Sequence, residues 1–219
     1  YNIVNKRRAS LMVKRLFDIV VASIMLAVLA LPMLIIAILI KCDSRGPVFF
    51  RQERVTQYGR IFKIYKFRTM VVNANELGAS VTVDNDRRIT RMGKLLRKIR
   101  ADEFPQLFNI LAGDMTLVGT RPEVPEYVKQ YSKEMYATLL LPAGLTSRTS
   151  IAYKDEDKIL GNAANPDKAY VEEVLPAKMK YNLEALRKFG FAEYCRVLWD
   201  TFESVVGSER LSVTKSRRR

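Results

Sequence analysis

Leu16-Phe-Asp-Ile-Val-Val-Ala-Ser-Ile-Met-Leu-Ala-Val-Leu-Ala-Leu-Pro-Met-Leu-Ile-Ile-Ala-Ile-Leu-Ile40 is the stretch that decides the architecture. From Ile19 to Ile40 it runs for 22 residues with Ser23 as the one polar interruption. At the rise of an α-helix that is about 33 Å, enough to cross the hydrocarbon of a bilayer. A buried core helix rarely goes so far without a polar face, and a signal peptide has a shorter apolar stretch followed by small residues at its cleavage site. The segment therefore predicts membrane insertion.

Two features bear on how the segment lies. Pro32 removes a helical hydrogen bond and clashes with the carbonyl four residues back, which predicts a break into apolar arms of 13 and 8 residues. Neither arm alone spans a bilayer. Lys6, Arg7, Arg8, Lys14 and Arg15 precede the stretch, and Lys41, Arg45, Arg51, Arg54 and Arg60 follow it. Matched charge leaves the positive-inside rule without a direction. A re-entrant helix that bends at Pro32 and returns both ends to one face satisfies both flanks, with Asp18 near the headgroups. A tilted, kinked crossing satisfies them as well.

Composition narrows the chemistry. The 219 residues carry 37 Lys+Arg against 23 Asp+Glu, a formal charge of +14, which predicts anionic partners: nucleic acid, acidic lipid or phosphorylated substrates. Histidine is absent, so catalysis here must rest on carboxylates, cations and metal ions. Cys42 and Cys195 stand far apart with no CxxC spacing, which suggests neither a disulfide framework nor a zinc site and reads as free thiols.

Beyond Lys41 no comparable apolar run appears. The expected fold class is α+β, mostly helical with little sheet: a basic N-terminal segment over 1–13, a membrane helix over 14–41 broken at Pro32, re-entrant or crossing, a small soluble domain over 42–210 ending in an amphipathic helix, and a basic tail over 211–219. Phe62, Ile64 and Phe67 among the cations of 60–68 predict a strand. Met92, Leu95, Leu96 and Ile99 fall at helical spacing with a basic outer side that includes Lys94 and Lys98. Pro105 to Ala112 reads as a helix stopped by Gly113, and Thr116 to Val118 as a short strand. Helices are expected from Pro125 to about Leu140, and from Pro166 to Lys188 with a break at Pro176. Phe191, Tyr194, Cys195, Leu198, Phe202 and Val205 form a stripe beside Trp199 that is expected to face a core, a membrane surface being the alternative.

The most informative polar stretch is Arg100-Ala-Asp-Glu-Phe-Pro-Gln106, followed by Asn109, Gly113-Asp-Met115 and Gly119-Thr-Arg-Pro122. Asp102 and Glu103 sit just before a helix start, where free amides favour anions and phosphate. An acidic residue there is commonly a cap. Lys66, Arg68, Arg97, Arg100 and Arg121 nevertheless provide more cationic groups than two carboxylates need, and a bound pyrophosphate explains the excess. The rival acidic run Asp155-Glu-Asp157 has no phosphate-binding loop beside it and reads as a solvated loop.

Five ordered motifs then carry a resemblance. Lys14-Arg-x-Phe-Asp18, Gly46-Pro-Val-Phe-Phe-Arg-Gln52, Tyr65-Lys-Phe-Arg-Thr-Met70, Asp102-Glu-x-Pro-Gln106 and Gly113-Asp-Met-x-Leu-Val-Gly-x-Arg-Pro122 resemble the bacterial sugar transferases, the monotopic polyprenyl-phosphate phosphoglycosyl transferases. The likeness continues loosely through Pro142-Ala-Gly-Leu-Thr146. It implies transfer of a sugar 1-phosphate from a UDP-sugar to polyprenyl (undecaprenyl) phosphate, with release of UMP, at the start of surface polysaccharide assembly. It further implies Asp102 as the nucleophile of a covalent phosphosugar intermediate, and Glu103 as the partner that helps place Mg2+ and substrate. Asp102 and Glu103 become the expected metal ligands. Lys66, Arg68, Arg97 and Arg121 become the expected phosphate-binding cations.

The same resemblance favours the one-leaflet form of the membrane helix, on the cytoplasmic face of a bacterial inner membrane, with membrane lipids as partners and no nucleic acid. A homo-oligomer is compatible with all of this. The chemistry fits a histidine-free chain, because a carboxylate and a phosphate are both anionic at neutral pH and need no general base. The chain departs from the family pattern at Thr120, at Ser147 after Gly144-Leu-Thr146, and at 175–181, where the distal Tyr-Asp pair has no match. The competing expectation is a membrane-tethered basic module that binds acidic lipid or nucleic acid without catalysis; it gives Asp102 and Glu103 no role.

Overall fold

The computed structural model describes residues 8–74, 77, 86–153, 160, 165–188 and 190–206. The acidic run at 155–157 and the basic tail lie outside them. The first element, α1 (Arg8–Asp43), is one uninterrupted helix of 36 residues with Pro32 inside it. The expected break at Pro32 is therefore corrected. The ring removes a single hydrogen bond, to the carbonyl of Val28, and the apolar turns on both sides keep their own.

One face of α1 lies against the rest of the protein along its length. Lys14, Asp18, Ala22, Met33 and Ile40 are buried, and Met25, Leu29 and Ile36 pack partly between them, at the three- and four-residue steps of one helix face. The other face carries Met12, Leu16, Ile24, Val28, Leu31, Ile35 and Ile38, all exposed, Val28 by 70%. Polar bonds fix both ends. Asp18 accepts hydrogen bonds from Thr116 Oγ1 at 2.6 Å, the Leu117 amide at 3.2 Å and the Tyr194 hydroxyl. Arg15 donates to the carbonyls of Ile110 and Leu111, and Asp43 accepts from the Met92 amide at 3.1 Å.

After α1 the chain forms an antiparallel hairpin of β1 (Phe49–Val55) and β2 (Ile61–Phe67), with Phe49 opposite Phe67 and Val55 opposite Ile61. The strand expected in 60–68 is thus β2. It leads to α2 (Arg91–Lys98), capped by the Thr90 hydroxyl accepting from the Gly93 amide. A 3₁₀ turn (Ala101–Glu103) and α3 (Gln106–Ala112) follow, and Gly113 ends α3 at φ 87° as the sequence predicts. Strand β3 (Met115–Val118) pairs in parallel with β4 (Ala143–Thr146), which the sequence does not announce. Gly119 and Gly144 make that crossing possible: a Cβ on Gly144 would stand 2.1 Å from the Gly119 amide nitrogen.

The helix expected over 125–140 is corrected. It consists of α4 (Pro125–Val128) and a separate 3₁₀ segment (Met135–Leu140), because Val128 and Tyr131 turn inward to a core with Val55, Tyr170, Leu175 and Met179. In the next region α5 (Arg148–Ala152) and α6 (Pro166–Ala169) precede a π turn (Tyr170–Val174), which runs directly into α7 (Leu175–Arg187). The expected break at Pro176 appears as that π turn, since Pro176 sits in the first turn of α7, where its missing N–H is not needed. The last helix, α8 (Phe191–Val206), turns Tyr194, Val197 and Leu198 inward and leaves Cys195, Trp199 and Phe202 outside. Its expected stripe is divided between the core and the surface. Leu95 of α2 and Ile99 at its C-cap are also half exposed, while Leu96 alone of that stripe is fully buried.

Candidate active site

Asp102 and Glu103 reach the site through a strained turn. Arg100, a non-glycine residue, holds φ 58° and ψ 19° as it caps the 3₁₀ turn, a left-handed conformation that costs on the order of 1 kcal/mol and turns α2 sharply into the acidic pair. Ala101 is buried against Phe67 and Leu96, which anchors the turn. Asn109 ties α3 to β2 by accepting from the Tyr65 amide and donating to the Lys63 carbonyl, both at 2.9 Å. The pair and Lys66 of β2 are thereby held on one frame.

The two carboxylates differ. Glu103 Oε1 receives Arg121 Nη2 at 2.7 Å and Lys66 Nζ at 2.9 Å. Burial alone would raise the Glu103 pKa, but Arg121 and Lys66 outweigh it and hold the group far below the usual carboxylate range. Asp102 is 9% exposed, and no described residue bonds to its carboxylate. Burial pushes its pKa up, the Lys66 charge opposes this, and the Glu103 charge adds to it. Burial lowers the Lys66 pKa, against the pull of Glu103. One carboxylate is clamped and the other is left available to a ligand.

Both line a cavity of about 580 Å³, within the size range of a nucleotide-sized ligand. Lys66, Arg97, Arg100 and Arg121 share its wall with the pair, so the structure brings most of the expected residues together. Arg97 donates from Nε to Thr69 Oγ1 at 3.0 Å. Arg68 also lines the cavity, but its two terminal nitrogens donate to the Arg45 and Ser44 carbonyls and the Ser44 hydroxyl. It staples the exit of α1 to β2, and Gly46 at φ 122° leaves room for it, since a Cβ there would lie 2.0 Å from Nη1. Lys94 and Lys98 are exposed, as expected of a solvated face.

Sequence reasoning missed a second polar group in the same cavity. Glu123 Oε1 accepts the Tyr170 hydroxyl at 2.7 Å and faces Lys178 Nζ at 3.4 Å, and Lys178 donates to the Tyr170 oxygen at 2.8 Å. Burial would raise the Glu123 pKa, but Lys178 and Arg54 outweigh it and keep the group ionised. Arg54 stands half-buried beside them, donates to the Pro122 carbonyl and to Gln52, and its buried Nε has no partner among the described residues. The legible signal was Lys178, a lysine between the apolar Leu175 and Met179.

Among the described residues no cluster of three or more His, Cys, Asp or Glu stands together. Two adjacent carboxylates beside a cationic anion site suit Mg2+, which is commonly held by one or two carboxylates together with substrate phosphates.

Comparisons with known proteins bear on the family of the chain. The bacterial sugar transferase family model matches residues 9–208. The chain is 46% identical over 134 residues to the UDP-N-acetylgalactosamine-undecaprenyl-phosphate N-acetylgalactosaminephosphotransferase of Aeromonas hydrophila, covering 59% of this chain and 32% of that protein. It is 43% identical over 118 residues to the UDP-glucose:undecaprenyl-phosphate glucose-1-phosphate transferase of Klebsiella pneumoniae, covering 54% and 25%. It is 34% identical over 165 residues to the undecaprenyl-phosphate galactose phosphotransferase of Salmonella typhimurium, covering 68% and 34%. The matched part spans about a third or less of the length of these relatives.

Proposed function

The chain belongs to the bacterial sugar transferase family, and on that premise we propose that it transfers a sugar 1-phosphate from a UDP-sugar to polyprenyl phosphate and releases UMP. The observation that carries this reading is the unequal pair: an unpartnered Asp102 beside a Glu103 clamped by Lys66 and Arg121. An Asp102 oxygen attacks the sugar-bearing phosphorus, and the bond from that phosphorus to the bridging oxygen breaks as UMP leaves with the electron pair. A phosphate oxygen of the lipid acceptor then attacks the same phosphorus and returns Asp102 as a carboxylate. Both nucleophiles are anions, so neither step calls for a base.

The barrier lies in bringing anions together, and Lys66, Arg97 and Arg121 offset it by neutralising charge on the transferring group. Asp102 and Glu103 would hold Mg2+, which when bound supplies further charge neutralisation at the diphosphate. Glu103 meanwhile fixes the positions of Lys66 and Arg121.

We also place α1 in one leaflet, with both of its ends and the catalytic domain on the cytoplasmic face. Support comes from its two tethered ends: Arg15 and Asp18 bind α3 and β3, while Asp43 binds the first turn of α2. A helix whose two ends bind one domain cannot leave one of them across a bilayer. Its exposed apolar face lies along the same helix as those tethers, and a lipid surface is the environment that satisfies it. Such an anchor keeps Asp102 near the headgroups, within reach of a soluble donor and a lipid phosphate.

The test is UMP release from a panel of UDP-sugars with polyprenyl phosphate and Mg2+, for the native chain and Asp102→Asn. Release that depends on the acceptor and is lost in the variant is expected. No release from any donor, or undiminished release by the variant, would overturn the reading.

A further inference from the structure

The cavity has two chemically different ends. Around Asp102 the wall is cationic, with Lys66, Arg97 and Arg121 outnumbering the acidic pair, which suits a diphosphate. Two residues past Arg121 the chemistry of the wall changes. Glu123, Tyr170 and Lys178 form a hydrogen-bonded group of one carboxylate, one hydroxyl and one ammonium, all three nine-tenths or more buried and lining the same cavity, with Arg54 beside them. The carboxylate of that group suits neutral hydroxyls, because a buried carboxylate accepts O–H donors through charge-assisted bonds.

Glu123 has capacity for this. Its Oε1 takes the Tyr170 and Lys178 contacts, while no described residue bonds to Oε2. Its position is fixed from three sides: the Glu123 carbonyl accepts from the Val55 amide, Arg54 holds the preceding Pro122 carbonyl, and Tyr170 holds the carboxylate. A rigid acceptor of this kind discriminates between donors, since a ring with a missing or inverted hydroxyl leaves a buried polar group unpaired.

We propose that Glu123, with Tyr170 and Lys178, is the specificity-determining end of the pocket and reads ring hydroxyls on the glycosyl group of the donor. This rests on the transferase reading above. The ribose of the donor also presents hydroxyls, but the glycosyl ring is bonded through one oxygen to the phosphorus that Asp102 attacks, whereas the ribose lies beyond a second phosphate. Arg121 touches Glu103, and Glu123 follows it by two residues, a reach of about 7 Å along extended chain. That short span favours the nearer ring.

The experiment compares Glu123→Gln and Tyr170→Phe with the native chain in membranes, measuring kcat/KM for UDP-sugars that differ in the configuration of one ring hydroxyl, and separately the affinity for UMP. Tyr170→Phe removes a single hydroxyl and carries the test should Glu123→Gln fail to fold. The expected result is a change of about tenfold in the ratio between epimeric donors, with UMP affinity held within about twofold. An unchanged ratio overturns the inference while UMP release by the native chain leaves the transferase reading standing. A parallel loss of UMP affinity overturns it in favour of the ribose. Absence of UMP release from any donor by the native chain removes both.

Discussion

Arg121 Nη2 lies 2.7 Å from Glu103 Oε1, and the same oxygen takes Lys66 at 2.9 Å, so one oxygen of the residue beside Asp102 holds two cations. Glu103→Gln keeps the shape and removes the charge. Breaking a buried ion pair on one side destabilises by about 3 kcal/mol, and the lower Tm should be visible in a thermal melt. The two released cations still attract the donor, so KM should hold or fall while kcat drops by about 100-fold. A rise in KM at constant kcat would mean that Glu103 only assists binding.

Asp102→Asn should separate stability from activity. The folded pKa of Asp102 is raised by burial, despite Lys66, so the ionised form is disfavoured in the folded protein. A raised carboxylate pKa contributes stability below the unfolded value, and that contribution is lost as pH rises through the folded value. At neutral pH the native chain therefore carries the penalty and the Asn variant does not. The inactive variant should melt at a higher temperature at pH 7, and the gap should close in acid. An equal or lower Tm at pH 7 would contradict the assigned environment.

The pH dependence of UMP release follows from the same two groups. In the proposed mechanism Asp102 attacks as the ionised carboxylate, so the acid limb should lie above the ordinary aspartate value of about 3.9. Burial lowers the Lys66 pKa, so loss of its charge sets the alkaline limb below the ordinary lysine value of about 10.4. Glu103 raises both groups, so Glu103→Gln should move both limbs to lower pH. A profile that shifts on one limb alone would show that another group sets the other.

How much of this could be read in the sequence depended on whether the signal was local. The apolar length of α1 and the Asp102-Glu103 pair were legible because each is contiguous. The break predicted at Pro32 does not form, because one lost hydrogen bond is set against the packing of Met33 and Ile40 with Phe67 and Leu96, which local sequence does not show. Strand β4 left no signal, since Ala143-Gly-Leu-Thr146 is a strand through pairing with β3 and the close approach of Gly119 and Gly144. Tyr170 and Lys178 meet Glu123 across 47 and 55 positions, a distance over which no spacing argument operates.

Gly93 tests the frame that carries the site. A Cβ at this position in α2 would stand 2.0 Å from the Thr69 carbonyl oxygen, a backbone atom that accepts from the Thr90 amide and cannot easily retreat. The close approach also brings Arg97 to Thr69. Gly93→Ala should destabilise by about 1–3 kcal/mol through overpacking despite the better helix propensity of alanine. The check is a denaturation midpoint, and a neutral or stabilised variant would show that α2 can slide away from the hairpin.

The one-leaflet placement of α1 makes a prediction about its two ends. Ser10 lies near one end of α1, ahead of the apolar stretch, and Cys42 at the other is an exposed free thiol. With Cys195 replaced by serine, Cys42 in the native position and Ser10→Cys in a Cys42→Ser background each report one end to a membrane-impermeant maleimide. Because Asp18 and Asp43 bind the same domain, both thiols should react from the cytoplasmic side, in inside-out vesicles, and resist reagent applied to sealed right-side-out vesicles. A crossing helix would place its two ends on opposite sides and give opposite patterns. That outcome would require the Asp18 contacts with Thr116 and Tyr194 to open in the membrane, and a double variant lacking Asp18 and Tyr194 side-chain oxygens, Asp18→Ala with Tyr194→Phe, would then label like the parent chain.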